Sequence, residues 1–69
     1  MMYKVKDFMT RASHSVNIRT VIIWNPFISK ALFVGSPQEI PDFLNNKNIR
    51  AYRYDKMKHR MIIRINSHN

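Results

Sequence analysis

From Arg60 to Ile65 the chain reads Arg-Met-Ile-Ile-Arg-Ile, and this segment most restricts what the sequence can fold into. Met61, Ile63 and Ile65 alternate with Arg60, Ile62 and Arg64, the period-two signature of a strand with one buried face. Such a strand needs a sheet beside it and an apolar layer over one side. Sixty-nine residues allow one such layer, hence one domain spanning 1–69. There is no Cys, so neither a disulfide nor a thiolate zinc site can reinforce it. Stability has to come from the core, or from self-association.

The remaining segments supply the partners of that strand. Val5, Phe8, Met9 and Ala12 fall at i, i+3, i+4 and i+7, which predicts a helix over residues 3–12. Ser13, His14 and Ser15 then make a polar break up to Asn17. Residues 18–25 are rich in β-branched and aromatic types and read as a strand. Its two faces, Val21 with Ile23 and Ile22 with Trp24, are both apolar, which points to a central position or to a partner covering one face. Asn25-Pro26 marks a turn, Lys30–Val34 a second strand, and Gly35-Ser36-Pro37 its end. Ser36-Pro37-Gln38-Glu39 has the form of a capping box with Pro at the first helical position. Pro41 divides this region into a helical turn at 37–40 and a short helix at 41–46, with Ile40, Phe43 and Leu44 toward the core. Residues 48–55 and 58–66 form a hairpin with a loop of three or four residues near Asp55. The order is α-β-β-α-β-β. It predicts an α+β fold, a four-stranded antiparallel sheet with two short helices on one face.

Charge is the strongest pointer to function. Twelve Lys and Arg stand against four Asp and Glu, a formal net charge of +8. Such an excess repels itself and implies a partner of opposite sign. Seven of the cations, Lys47, Arg50, Arg53, Lys56, Lys58, Arg60 and Arg64, lie in the last third of the chain, where Asp55 is the lone acid. Tyr52 and Tyr54 are interleaved with them. Cations beside aromatic rings on one sheet face suit a single-stranded nucleic acid, through phosphates and stacked bases. Register decides whether they share a face. With Tyr54 opposite Lys58, Arg50, Tyr52 and Tyr54 join Arg60 and Arg64 on the open face, while Ile49 and Ala51 go inside. With Tyr54 opposite His59, both rings turn inward and the open face keeps Arg53, Arg60 and Arg64 without aromatics. The second arrangement is the ordinary fate of Tyr. Cations on an exposed strand also guard against edge-to-edge aggregation.

Other chemistry finds little support. His14, His59 and His68 are too scattered to converge on a metal. Glu39 and Asp42 read as helix-start residues. A single Gly35 cannot build a phosphate cradle, and no nucleophile–base–acid set stands out. No enzyme activity, cofactor or metal is expected. The longest uncharged apolar run, residues 20–27, is far too short for a bilayer, and the N-terminal residues carry no apolar signal region, so a cytoplasmic protein without membrane contact is expected.

The opening Val5-Lys6-Asp7-Phe8-Met9, the strand Val21-Ile22-Ile23, the run Leu32-Phe33-Val34-Gly35 followed by Glu39-Ile40-Pro41, and the closing Met61–Ile65 resemble small uncharacterised proteins of phages and mobile elements in Gram-positive bacteria. The resemblance implies a short, cytoplasmic, non-enzymatic protein; some small phage proteins of this size inhibit host defence systems such as CRISPR nucleases. It implies no site residue. Three readings are open. The leading one is a nucleic-acid or nucleoprotein binding module, with Lys47, Arg50, Arg53, Lys58, Arg60 and Arg64 toward phosphates and Tyr52 or Tyr54 stacking. The second is a phage-encoded protein-binding factor that inhibits a host defence system, anchored through Trp24, Phe27 and Ile28, with an acidic host protein among the candidate partners. The third is a self-associating structural protein, at its simplest a homodimer.

Overall fold

In the computed structural model, described over residues 3–66, two hairpins join into one sheet with helices on one side. The elements are α1 (Val5–Ser15), β1 (Thr20–Asn25), β2 (Lys30–Gly35), a 3-10 turn (Pro37–Glu39), α2 (Asp42–Asn45), β3 (Ile49–Asp55) and β4 (Arg60–Ile65). Their order matches the α-β-β-α-β-β expectation. The α1 helix runs through the expected polar break at Ser13–Ser15. Its hydroxyls bond back to the helix itself, Thr10 to the Lys6 carbonyl and Ser13 to the Thr10 carbonyl, so they do not compete for the backbone. Its first amide, on Val5, donates to the Lys47 carbonyl at 2.9 Å, which ties its start to the α2–β3 connection. Pro41 stands outside α2 as its N-cap, and its carbonyl accepts from Leu44 and Asn45.

The sheet corrects one expectation. It is mixed, in the order β2-β1-β4-β3, and the central pair β1 and β4 is parallel. Both hairpins are antiparallel as expected. The connection between them decides the difference. β2 and β3 are the two edges and run the same way, so the 3-10 turn and α2 must carry the chain back along the length of the sheet. They do so across its inner face, burying Ile40 and Leu44. A short link would have delivered β3 to the near end and made the centre antiparallel.

The core explains which strands go to the middle. Of the ten buried apolar residues, five come from the central pair: Val21, Ile23, Met61, Ile63 and Ile65. Val5 and Met9 of α1, Ile40, Leu44 and Ile49 complete the set. Each such side chain, moved from water to the interior, contributes about 1.5–3 kcal/mol. Phe43 departs from expectation: it is 65% exposed on the far side of α2. Four residues are too few for an amphipathic helix to turn a second large side chain inward beside Leu44.

Both edge strands carry a bulge. In β2 the pairing steps from Phe33 opposite Ile23 to Ala31 opposite Trp24, so Leu32 is the extra residue. In β3 it steps from Ile49 opposite Ile65 to Ala51 opposite Arg64, so Arg50 is extra. The two hairpin loops, Pro26–Ser29 and Lys56–His59, are built alike. Each opens on an Asx side chain that accepts from the amide two residues on, Asn25 from Phe27 at 2.9 Å and Asp55 from Met57 at 3.1 Å. Each closes on a left-handed residue, Ser29 at φ 50° and His59 at φ 51°.

These loops and caps can be tested by substitution. Ser29→Gly should raise stability by about 0.5–1 kcal/mol in urea denaturation, the left-handed penalty less the entropy that Gly adds to the unfolded chain. Glu39 closes the capping box: its carboxylate accepts from the Ser36 hydroxyl at 2.8 Å and the Ser36 amide at 3.3 Å. These bonds, the hydroxyl first, hold its carboxyl below the ordinary 4.5. A carboxyl depressed in the folded state stabilises above its unfolded pKa, and that contribution is lost as pH falls through the folded value. The stability difference between the native chain and Glu39→Gln, measured by urea midpoints, should therefore shrink as pH drops below 4.5.

Candidate functional site

The three ladders place side chains in rows across the outer face, the face without helices. One row runs Val34, Ile22, Ile62, Arg53. The next runs Ala31, Trp24, Arg64, Ala51, with the bulged Leu32 beside it. A third runs Thr20, Arg60, Asp55. Arg53, Arg60, Arg64 and Trp24 therefore share one open surface. From the sequence, Trp24 with Phe27 reads first as a small aromatic cluster capping the core and second as an exposed anchor, apart from the cations in either case. The ladders correct the first reading, since Trp24 is in phase with the outward Ile22 and lies outside the core cluster. The parallel β1–β4 ladder puts Trp24 directly beside Arg64.

The tyrosines are elsewhere. Tyr54 pairs with Met61 and Tyr52 with Ile63, so both stand on the helix-covered face. This is the inward phase of the two considered, displaced by two residues from a Tyr54–His59 pairing. The Tyr52 ring packs on Phe8 with centroids 4.6 Å apart, and remains 60% exposed because β3 is an edge. The Tyr54 hydroxyl donates to the Asn17 carbonyl at 2.6 Å and lies 3.3 Å from His59 Nδ1. Both rings dock α1 and the chain after it onto β3. The Arg50 bulge produces this outcome: it lets Ile49 and both tyrosines turn inward although they differ in parity.

The other candidates sit at the ends of the sheet or behind it. Arg50 lies over the Phe27 ring, 5.3 Å from guanidinium carbon to centroid, where the β1–β2 loop meets the start of β3. Phe27 and Ile28 in that loop are 49% and 59% exposed. Lys58 is exposed in the β3–β4 loop at the opposite end. Lys47 belongs to the α2–β3 connection in the helical layer. His68 lies outside the described residues, and among those described no three His, Cys, Asp or Glu gather as metal ligands.

The acids are segregated. Asp7, Glu39 and Asp42 occupy α1, the 3-10 turn and α2, all in the helical layer. The outer face has Asp55 alone, and it is engaged: Arg60 Nη2 donates to its Oδ2 at 3.5 Å, while its Oδ1 accepts from the Met57 and Lys58 amides. Arg60 is thus partly neutralised, and its buried Nε has no partner among the described residues. The side chains of Arg53 and Arg64 make no ion pair or hydrogen bond with any described residue. Between them the small side chain of Ala51 leaves a depression of about 350 Å³, lined by Ala51, Tyr52, Arg53, Ile62 and Arg64. Sheet geometry puts the two arginines on a diagonal, roughly 7–8 Å apart at the backbone, so both can reach one bound anion. A larger concavity, about 570 Å³, lies between the end of α1 and the 3-10 turn; its lining includes His14, Asn17 and Gln38 and no acid.

Among the described residues no helix is long and apolar enough to cross a membrane. Compared with family models, curated proteins and solved structures, the chain matches none.

Asp55 separates charge from structure in a testable way. Asp55→Asn keeps the Oδ1 that caps the loop and removes the negative charge from the outer face. Stability should change by less than about 1 kcal/mol, the usual worth of a partly exposed ion pair. Elution from heparin, a generic polyanion, should move to higher salt.

Proposed function

We propose that the protein is a non-catalytic binding module that takes a nucleic acid, free or within a nucleoprotein, on the outer face of its sheet. The observation that carries this reading is the company on that face: Arg53, Arg60, Arg64 and Trp24 together, with one acid that is already paired. Guanidinium groups bind phosphate oxygens bidentately, and their charge is not lost at any physiological pH. Trp offers a flat surface on which any base can stack. Unpartnered arginines repel one another, and an anion laid across them relieves that repulsion. The Tyr52 and Tyr54 side chains stand on the helix-covered face, so Trp24 supplies the aromatic surface instead.

Trp24 is the single Trp of the chain, so its fluorescence reports on this face alone. Titration with a single-stranded oligonucleotide at low salt should quench it. With three arginines on phosphates, the logarithm of the binding constant should fall with that of salt with a slope of about −2. The Arg53→Ala, Arg64→Ala double variant should lower the slope to about −1 or less and weaken binding at every sequence. No fluorescence response at low salt, or an affinity indifferent to salt, rejects the proposal.

A further inference from the structure

The outer face is divided along its length. β2 carries no charge from Ala31 to Gly35, and the outward residues of β1 are Thr20, Ile22 and Trp24. On this half Val34 is 62% exposed and Leu32 37% exposed. On the other half, β4 and β3 bear Arg60, Arg64 and Arg53. One half can neutralise anions and the other can only cover apolar surface. The boundary runs between β1 and β4, where Trp24 and Arg64 are neighbours.

A nucleic-acid duplex does not fit such a division. Its ridges are phosphate and sugar, and its base edges lie recessed in grooves that a flat sheet face does not enter. Pressed on this sheet it would satisfy the arginines and bring phosphates against Val34, Leu32 and Ile22. A single strand has the matching asymmetry, with phosphates along one side and unpaired bases that splay to the other. Resting on the nucleic-acid reading above, we infer that the occupant is single-stranded, with its backbone along β4 and β3 and its bases across β1 and β2. The Arg53–Arg64 depression holds a phosphate, and Trp24 stacks the base next to it. The apolar half then accommodates about two or three bases, as other four-stranded sheets that bind RNA do. It does so without reading sequence, because no outward side chain on β1 or β2 beyond the Thr20 hydroxyl and the Trp24 indole N–H offers a hydrogen bond. A second copy of the chain is a poor occupant, since two such faces would set like charges against each other.

The test follows Trp24 fluorescence of the full chain at one low salt concentration with three probes of equal length: a single-stranded oligonucleotide, the same strand lacking its bases, and the corresponding duplex. The base-carrying strand should bind roughly tenfold or more tightly than the base-free strand, about the worth of one stacked base. It should also outbind the duplex. Val34→Lys, on an exposed edge position, should narrow the gap between the first two probes, because it replaces base-covering surface with a cation. Equal affinity for strands with and without bases, or a preference for the duplex, overturns this inference and leaves binding by charge in place. A failure of every nucleic acid to change the fluorescence removes the underlying reading as well. Tighter binding of an amphipathic acidic peptide of equal charge overturns the inference in favour of a protein partner.

Discussion

The parallel ladder between β1 and β4 is the contact on which the rest of this structure depends. It buries half of the core residues in two adjacent strands and gives the helices a single inner face to cover. It also joins two hairpins that are otherwise self-contained. Each hairpin alone would be marginal in water, with too little apolar area to order its own backbone. Paired through their most apolar strands, they share one core, and the outer residues of both become a single surface.

That surface owes its character to charge placement more than to charge number. Cations occur throughout the molecule, including Lys4, Lys6 and Arg11 around α1. Arg11 is occupied with Tyr3, its guanidinium carbon 5.0 Å from the ring centroid and its Nη1 donating to the hydroxyl at 3.0 Å. Acids, however, are confined to the helical layer except for Asp55. The helical side therefore carries three of the four acids, and the sheet side carries one, paired with Arg60.

The bulges link fold to site. As the extra residue of β2, Leu32 twists an edge that carries no charge beyond Lys30, which discourages edge-to-edge pairing. Arg50, as the extra residue of β3, reverses the alternation between Ile49 and Tyr52, sending the tyrosines inward and Ala51 and Arg53 outward. Without it, Ile49 and the tyrosines could not both face the helices. The inward rings clamp α1 to the sheet edge through Phe8 and Asn17.

Much was legible in the sequence because it is written in short-range patterns. The element order, the α1 stripe of Val5 and Met9, the alternation of Met61–Ile65, the capping box at Ser36–Glu39 and the four-residue loop after Asp55 all depend on neighbours within a few positions. Apolar residues on both faces of β1 left two options, a central strand or a partner over one face, and the sheet order makes it central. What tertiary structure alone decided were relations between distant segments: the parallel direction of β4 against β1, the phase of β3, and hence the meeting of Trp24 with Arg64. A bulge defeats the period-two reading because one inserted residue moves every later side chain to the opposite face. Strand direction across a long connection leaves no local mark at all, since it depends on how far the intervening turn and helix carry the chain.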